Sequence, residues 1–445
     1  MSTRVALALC IASLAPSVHA LDLREAWGIL QYQGPLYLSA VHERDAALEN
    51  RNLGKAGLLP QANLNAYQSH INGTQRQPDA YGRSHDSDLN YNAKSAVVQV
   101  RQPLFNKEKL ATYRQGKHQA DMGEAVFDAK AQDVAVQLAG RYFDVLLAHQ
   151  TIELAEAKLR AYALQVVSTT RRRELGEGTV TDIDTAVARR DLANAELIEA
   201  RDHLLVARRL LQELIGETPD TIATLQGNFP TPGLQPATLS EWLLKARVDS
   251  PNIAARRLGV SVAEQEVAKA RAGHWPTLDL VAGYTAADSE SLSTLDQRNR
   301  YASIGVELNV PLFSGGYVSA HVRQTAASRE QAEDDLNATR EAVLSNTTRE
   351  FLGVQNGEVR VHALEVAVRS SEKALASAKK SFLAGSSTNT DILDAEQQVF
   401  NAQRDLFEAK LRYLLSRLRL AALVGALGED DIDQVNAYLG PQLRF

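Results

Sequence analysis

The sequence has almost no cysteine, few aromatic side chains and no long apolar run beyond its first 20 residues. Its single cysteine, Cys10, lies among those first residues, so the rest of the chain can form neither a disulfide nor a catalytic thiolate. Without a run of about 18 apolar residues, that part also lacks a membrane-spanning helix. Aromatic residues make up only 6% of the 445 residues and alanine recurs throughout, which favours closely packed helices over a β-sandwich core.

Excess positive charge and catalytic motifs are missing as well. The 48 basic and 54 acidic side chains give a net charge of −6, which argues against nucleic acid as the main partner. The 10 histidines are scattered, and no zinc-protease, phosphate-binding or dinucleotide-binding motif is present. We therefore expect no enzyme activity, no cofactor and no metal site.

Residues 1–20 have the pattern of a signal peptide. Arg4 carries the only formal charge, an apolar stretch follows, and Val18 and Ala20 suit cleavage before Leu21. An exported chain without cysteine is expected in the periplasm or outer membrane of a Gram-negative cell.

Proline is missing from two long stretches. Pro103 and Pro219 are separated by 115 residues, and Pro311 and Pro441 by 129. Strong helix formers dominate both stretches and predict four long helices, over residues 107–173, 182–215, 318–382 and 391–424. At ~1.5 Å per residue the longest would be a rod of about 100 Å. Such a rod needs lateral partners along its length, as in a coiled coil or a helical cylinder.

The chain repeats itself once, with offsets of 208 to 216 residues. Four motifs return in the same order: AGLLP at 56–60 as AGHWP at 272–276, PLF at 103–105 and 311–313, LGEGTVTDI at 175–183 as AGSSTNTDI at 384–392, and LIG at 214–216 as LVG at 423–425. We interpret the pattern as a tandem duplication, with a first repeat over 21–227, a linker over 228–237, a second repeat over 238–427 and a C-terminal tail over 428–445.

Each repeat holds one predicted β-hairpin, over about residues 58–105 and 276–313, followed by long helices at 107–216 and 318–425. Apolar and polar residues alternate in the strands, whose predicted ends are Pro60, Pro103, Pro276 and Pro311. Strands of ~10 residues with one apolar face suit a tilted transmembrane strand.

The polar stretches 71–92 and 285–300 are interpreted as surface loops of these two hairpins. Four strands cannot close a barrel in lipid, because open sheet edges are not tolerated in hydrocarbon. Either the strands lie outside a membrane, or several chains share one barrel.

Two glycines, Gly176 and Gly385, end long predicted helices where a left-handed residue is required. Thr181 and Asp182 then begin one returning helix, and residues 390–391 begin the other. Threonine and aspartate at such positions ordinarily cap a helix and complement its dipole.

Taken together, the doubled strand and helix-tip motifs resemble the TolC-type outer membrane factor family over the whole chain beyond the leader. The opening LDLREA at 21–26 and the run ENRNLGKAGLLP at 49–60 are similar to the branch that serves type I protein secretion. The resemblance implies an α+β membrane protein with a long α-helical coiled-coil tunnel and four transmembrane β-strands per protomer. Three chains would pool these strands into one shared 12-stranded trimeric barrel.

The resemblance also implies a periplasmic entrance at the helix tips. Asp391 and Asp394, three residues apart on one helix face, would form an acidic ring that selects cations, and Phe382 would help to latch it. The remaining implied residues are Thr181 and Asp182 at the entrance, and Gly176, Gly178, Gly385, Ser387 and Thr388 in the turns that contact an adaptor.

One departure from the family concerns the latch. The family's latch uses an arginine two residues after the tip glycine, where this chain has Ser387 and, in the first repeat, Gly178. The basic residues nearby in sequence are Arg171, Arg172 and Arg173.

The implied function is a passive, homotrimeric exit duct of the outer membrane, surrounded by its lipid and not bound to nucleic acid. Its partners would be a periplasmic adaptor (membrane fusion) protein and an inner-membrane ABC transporter, with an unfolded secreted protein as cargo. The alternative is a drug or metal efflux pump with an RND transporter. A periplasmic coiled-coil scaffold without a pore is the remote alternative.

Overall fold

The computed structural model describes residues 21–78, 80–219, 221–227, 229–291 and 294–444. The predicted signal peptide at 1–20, with Cys10, lies outside these residues. Within them the chain forms ten α-helices and six β-strands. The helices are α1 (Leu23–Gln33), α2 (Pro35–Leu48), α3 (Asn50–Ala56), α4 (Lys107–Glu174), α5 (Val180–Ile215), α6 (Leu239–Asp249), α7 (Pro251–Ala272), α8 (Tyr317–Leu383), α9 (Asn389–Leu423) and α10 (Glu429–Asn436). The strands are β1 (Gln61–Pro78), β2 (Ser84–Phe105), β3 (Thr221–Leu225), β4 (Thr277–Ser291), β5 (Thr294–Asn309) and β6 (Leu439–Arg444).

The four long predicted helices are confirmed as α4, α5, α8 and α9, with every end within two residues of the expected position. The two returning helices, α5 and α9, start two residues early because their capping threonines precede the predicted starts. None of the helices in the described ranges has both the length and the apolar character needed to cross a membrane.

The strands are longer than predicted, and the interpretation of residues 71–92 and 285–300 as loops is wrong. The β1–β2 ladder runs without interruption as far as the pair of Pro78 and Ser84, and the β4–β5 ladder includes 285–291 and 294–300, with a register shift between Ser289 and Ser291. Apolar and polar residues alternate visibly only where one face of a strand is apolar. Both faces are polar in the outer part of each hairpin, so the pairing continues there without that signal.

The four long strands form one antiparallel sheet in the order β1-β2-β4-β5, with β1 and β5 at its edges. Its register places even-numbered residues opposite even-numbered ones, so they share one face. Near the helix end that face is apolar: Ala62, Leu64, Ala96, Val98, Val100, Leu280, Ala282, Ile304, Val306 and Leu308. On the odd face, Arg101 pairs with Asp279 of β4 at 2.8 Å and with Glu307 of β5 at 2.6 Å.

The predicted strand-end prolines differ in position. Pro60 and Pro276 directly precede β1 and β4, as expected. Pro311 lies two residues after β5, whereas Pro103 lies inside β2, where the β2–β4 register shifts. Proline cannot donate to the ladder, which explains an irregularity at that point.

The chain divides into two compact units. Within the described residues, unit 1 extends over 21–41, 128–250 and 343–444, and unit 2 over 42–127 and 251–342. Each unit therefore takes residues from both predicted repeats.

In unit 1, the two ends of the described chain meet at β3. β3 pairs with β6, and the amide of Leu21 donates to the Thr221 carbonyl at 3.0 Å. The hydroxyl of Tyr142, a fully buried residue of α4, donates to the Ala223 carbonyl at 2.7 Å and the Leu21 carbonyl at 3.1 Å. These hydrogen bonds fix α4, the helix that leads into the α4–α5 turn, to the small sheet formed by β3 and β6.

In unit 2, glycines bring helices into close contact. A Cβ on Gly116 of α4 would lie 2.2 Å from the Asn50 carbonyl oxygen, and one on Gly123 would lie 2.3 Å from the Ala47 Cβ. Glycine is thus required by the approach of α2 and α3 to α4, and not by backbone conformation.

We expect Gly116→Ala to destabilise the protein by about 1–3 kcal/mol, because the added methyl overlaps a backbone oxygen. Gly140→Ala, also inside α4, is the matched control, since a Cβ there meets no atom within 4 Å. Helix propensity alone should make that variant up to about 1 kcal/mol more stable. Urea unfolding measures both free energies, and equal effects of the two substitutions would contradict this packing account.

Candidate functional site at the helix tips

Both helix-tip turns, α4–α5 and α8–α9, belong to unit 1. Gly176 and Gly385 adopt the predicted left-handed conformation, with φ of +79° and +75°. Their amides donate back to the Arg173 carbonyl at 2.9 Å and the Phe382 carbonyl at 3.0 Å. A Cβ on either glycine would meet nothing within 4 Å, so backbone conformation selects glycine here.

Each returning helix begins with a capping box. The hydroxyl of Thr179 accepts from the Asp182 amide at 3.2 Å, and the Asp182 carboxylate accepts from the Thr179 amide at 3.0 Å. Thr388 and Asp391 repeat this arrangement at 3.3 and 2.7 Å. The capping role expected for Asp182 is confirmed, but the returning helix begins at Val180, before the expected start at Thr181 and Asp182. Thr181 is the exposed second residue of α5, and Thr179 is the cap.

The Asp391 carboxylate is held by neutral donors. Besides the Thr388 amide, it accepts from the Thr388 hydroxyl at 2.8 Å and the Ser387 hydroxyl at 2.7 Å. These hydrogen bonds, led by that from the Thr388 backbone, lower the pKa of Asp391 below its ordinary value because they favour the ionised form. In the first tip, Gly178 stands where the second has Ser387 and offers no hydroxyl to Asp182.

Asp394, one turn further along α9, has a different environment. A guanidinium nitrogen of Arg189, on α5, lies 2.8 Å from its carboxylate. The two aspartates of the predicted acidic ring therefore differ in how their charge is compensated. The negative charge of Asp394 is compensated by a cation of the same chain, whereas the groups that donate hydrogen bonds to Asp391 are neutral. In the described part of the chain, no cluster of three or more His, Cys, Asp or Glu side chains is arranged to hold a metal ion.

Phe382, the predicted latch aromatic, contacts an arginine from the other tip. The guanidinium carbon of Arg172 lies 4.2 Å from the centre of the Phe382 ring, which is a cation–π distance. Arg172 is partly buried, whereas Arg171 and Arg173 are exposed. This contact joins the end of α4 to the end of α8.

A buried polar layer behind the tips was not predicted from the sequence. Asn389 is 2% exposed, accepts from the Gln165 side chain of α4 and donates to the Asp182 carbonyl at 3.5 Å. The fully buried Tyr162 donates to Gln397 at 3.3 Å, and burial raises its pKa to about 12.

Two ion pairs extend this layer. Lys158 of α4 meets Glu196 of α5 at 2.6 Å, and Lys379 of α8 meets the buried Glu396 of α9 at 2.9 Å. In the sequence, a charged residue that recurs among the apolar residues of one helix face could have indicated these ion pairs. That pattern does not identify the residue with which the charge pairs.

Comparison with known proteins gives a family and close relatives. The model of the family described as Outer membrane efflux protein matches residues 33–217 and again residues 242–426. The "Proteases secretion protein PrtF" of Dickeya chrysanthemi is 32% identical over 95% of this chain and 92% of that protein. The "Alkaline protease secretion protein AprF" of Pseudomonas aeruginosa is 33% identical over 95% and 88% of the two chains.

The fold is that of a solved outer-membrane protein, VceC of Vibrio cholerae. The alignment has a TM-score of 0.76 at 21% sequence identity and covers 91% of this chain and 97% of VceC. The predicted α+β class, with long helices and a sheet, is confirmed at that level.

We expect Ser387→Ala to raise the pKa of Asp391, because it removes one of the donors that favour the carboxylate. The lowered pKa stabilises the folded tip above the carboxyl's unfolded pKa, and this contribution disappears as the pH falls through the lower folded value. A carbon-13 NMR titration of labelled aspartates measures the shift.

Ser386→Ala is the control for that titration. The Ser386 hydroxyl donates to the Ser381 carbonyl at 3.2 Å, so its loss should leave the pKa of Asp391 unchanged. The assignment of Ser387 is wrong if both variants titrate like the unmodified protein.

Proposed function

Because the chain belongs to the outer membrane efflux protein family, we propose that it forms the outer-membrane exit duct of a type I protein secretion system. Members of this family are channels of the outer membrane, and this chain is an outer-membrane protein. The observation that carries the proposal is the similarity, over 95% of the chain, to two proteins named for the secretion of proteases. The duct itself is passive, and its cargo is an unfolded secreted protein.

The duct is proposed to be a homotrimer. β1 and β5 each leave one edge unpaired within the described chain. An unsatisfied backbone group in hydrocarbon costs several kcal/mol, and pairing β5 of one copy with β1 of the next removes these edges. Three copies would supply twelve strands, with the apolar even face toward lipid and the odd face, with Arg101, toward the lumen.

The doubled family match supports a tandem duplication with repeats at 21–227 and 238–427.

We expect native mass spectrometry of the detergent-solubilised protein to give the mass of three chains. A folded, monodisperse monomer under the same conditions would contradict the shared barrel.

The cargo is tested in a strain that lacks its own outer-membrane duct but retains an ABC transporter, an adaptor and a glycine-rich calcium-binding repeat protease. Expression of this chain should restore the protease to the medium. Restored drug or metal resistance without protease export would instead support the efflux pump.

The adaptor is proposed to bind the two tip turns, including Gly176, Gly178, Gly385, Ser387 and Thr388. Large apolar side chains flank these turns in solvent: Leu175, Val180 and Leu383 are 69%, 48% and 84% exposed. Exposed apolar side chains around a turn suit a protein partner. The inner-membrane component would be an ABC transporter.

The entrance is proposed to be held closed by the Arg172–Phe382 contact. This contact would replace the latch arginine that the family has at the position of Ser387. It joins α4 to α8 within one chain, and loss of it should let the tips separate. An exposed to partly buried cation–π contact contributes about 0.5–2 kcal/mol.

We expect Arg172→Gln to raise the ratio of open to closed tips by roughly 2- to 30-fold for each chain, the range that this free energy allows, and by the product of three such factors if the three chains open together. Conductance in planar lipid bilayers measures the change. Arg173→Gln removes the same charge from the adjacent, exposed position and should leave conductance unaltered. Equal conductance of the two variants would refute the proposed latch.

The acidic ring is proposed to rest on Asp391 more than on Asp394. The groups that donate hydrogen bonds to Asp391 are neutral and leave its negative charge uncompensated, whereas the positive charge of Arg189 compensates that of Asp394. A ring of like charges at a narrow mouth favours cations.

Asp391→Asn should therefore lower cation selectivity more than Asp394→Asn does, and Arg189→Gln should raise it by releasing the charge of Asp394. Reversal potentials in a salt gradient measure selectivity. If Asp391→Asn weakens the trimer but leaves selectivity unchanged, Asp391 acts as a helix cap alone.

A further inference from the structure

The apolar band on the even face of the sheet is slightly shorter than the ~25 Å apolar band of an outer-membrane barrel. On β5 and just beyond it, the band runs from Ala302 through Ile304, which is 76% exposed, to Val310. These residues span ~27 Å along the strand at ~3.4 Å per residue, or ~20 Å along the membrane normal for a tilt of ~40°. Exposed Trp275 and Phe313 lie at the helix end of the sheet, where aromatic side chains mark a membrane interface.

Basic side chains take over at the opposite end of this band. Lys94 on β2 is opposite Asp288 on β4, which in turn is opposite Arg298 on β5. Arg300 lies on the same face, one even-numbered step closer to the band, and opposite Ala286. Lys94, Arg298 and Arg300 are all exposed, and we call them the basic patch.

One carboxylate lies directly among the basic patch: Asp288, opposite Lys94 and Arg298, pairs with Arg298 at 3.2 Å. Arg300 is opposite Ala286, and neither Arg300 nor Lys94 takes part in an ion pair among the described side chains. Two basic groups therefore remain available to a ligand, while Glu290 and Asp296 follow one even-numbered step further from the band on β4 and β5.

The patch and the band meet in one open depression. Its volume is about 410 Å³, and its lining includes the three basic residues, Asp288, Ala96 and Ala286. An acyl chain can lie against the alanines while a phosphate meets the lysine and arginines. A free phosphate ion would use only the second part of this surface.

We propose that the basic patch binds the phosphorylated headgroup of an anionic lipid in the outer leaflet. This inference rests on the proposed barrel, whose long helices extend into the periplasm and so direct the opposite end of the band outward. From Val310 to Arg300 is ~26 Å along the membrane normal by the same geometry, close to the ~25 Å height of an outer-membrane apolar band. Arginine and lysine at that boundary recognise anionic headgroups.

The experiment compares diphosphorylated lipid A with its dephosphorylated form, each titrated onto the detergent-purified trimer and followed by native mass spectrometry. We expect the diphosphorylated form to bind at least tenfold more tightly. The variant Lys94→Gln, Arg298→Gln, Arg300→Gln should lose this difference. The control variant Lys117→Gln, Arg256→Gln, Arg257→Gln removes the same charge from exposed positions of α4 and α7 and should retain it.

Each outcome decides between stated alternatives. Equal binding of the two lipids by the unmodified trimer overturns the basic patch without affecting the proposed duct, because trimer mass and conductance are measured on the same preparation. Displacement of the lipid by millimolar inorganic phosphate would identify a site for free phosphate and also overturn the inference. If the patch variant does not assemble, the comparison of the two lipids on the unmodified trimer still decides.

Discussion

Backbone hydrogen bonding at the edges of the four-stranded sheet is the constraint on which the proposed duct depends. β1 and β5 have ladders on one side only, and hydrocarbon offers no water to satisfy the other. The proposed duct meets this constraint by assembly and not by a longer sheet. Every feature of one chain would then be present in three copies, so that a single carboxylate at a tip would become a ring.

The long helices could be predicted closely because their signal is local. Proline-free stretches rich in strong helix formers give α4 and α8 almost to the residue. The strands were underestimated because alternation reports a difference between two faces, and the outer parts of both hairpins have none. At Ile71 and at Arg300 the strands pair through backbone groups. Backbone pairing does not require any particular pattern of polar and apolar side chains.

At the tips, the glycine positions and the aspartates were predictable, whereas their partners were not. Gly176 and Gly385 follow from the requirement for a positive φ, which depends on a single residue. The contacts of Asp394 with Arg189 and of Phe382 with Arg172 join residues about 200 positions apart. No periodicity encodes such a pairing, because it depends on how four helices are aligned along their axes.

The two tip turns share a backbone but not a set of side chains, and this has a consequence for symmetry. Left-handed glycines and threonine caps give both turns the same main-chain path, while Gly178 in one is replaced by Ser387 in the other. A protein that touched only the main chain of a trimer would encounter six equivalent positions. A protein that contacted the side chains would instead encounter two kinds of turn, with three copies of each. The number of partner molecules that can bind around the helix tips of a trimer is therefore set by whether the partner contacts the main chain or the side chains of these turns.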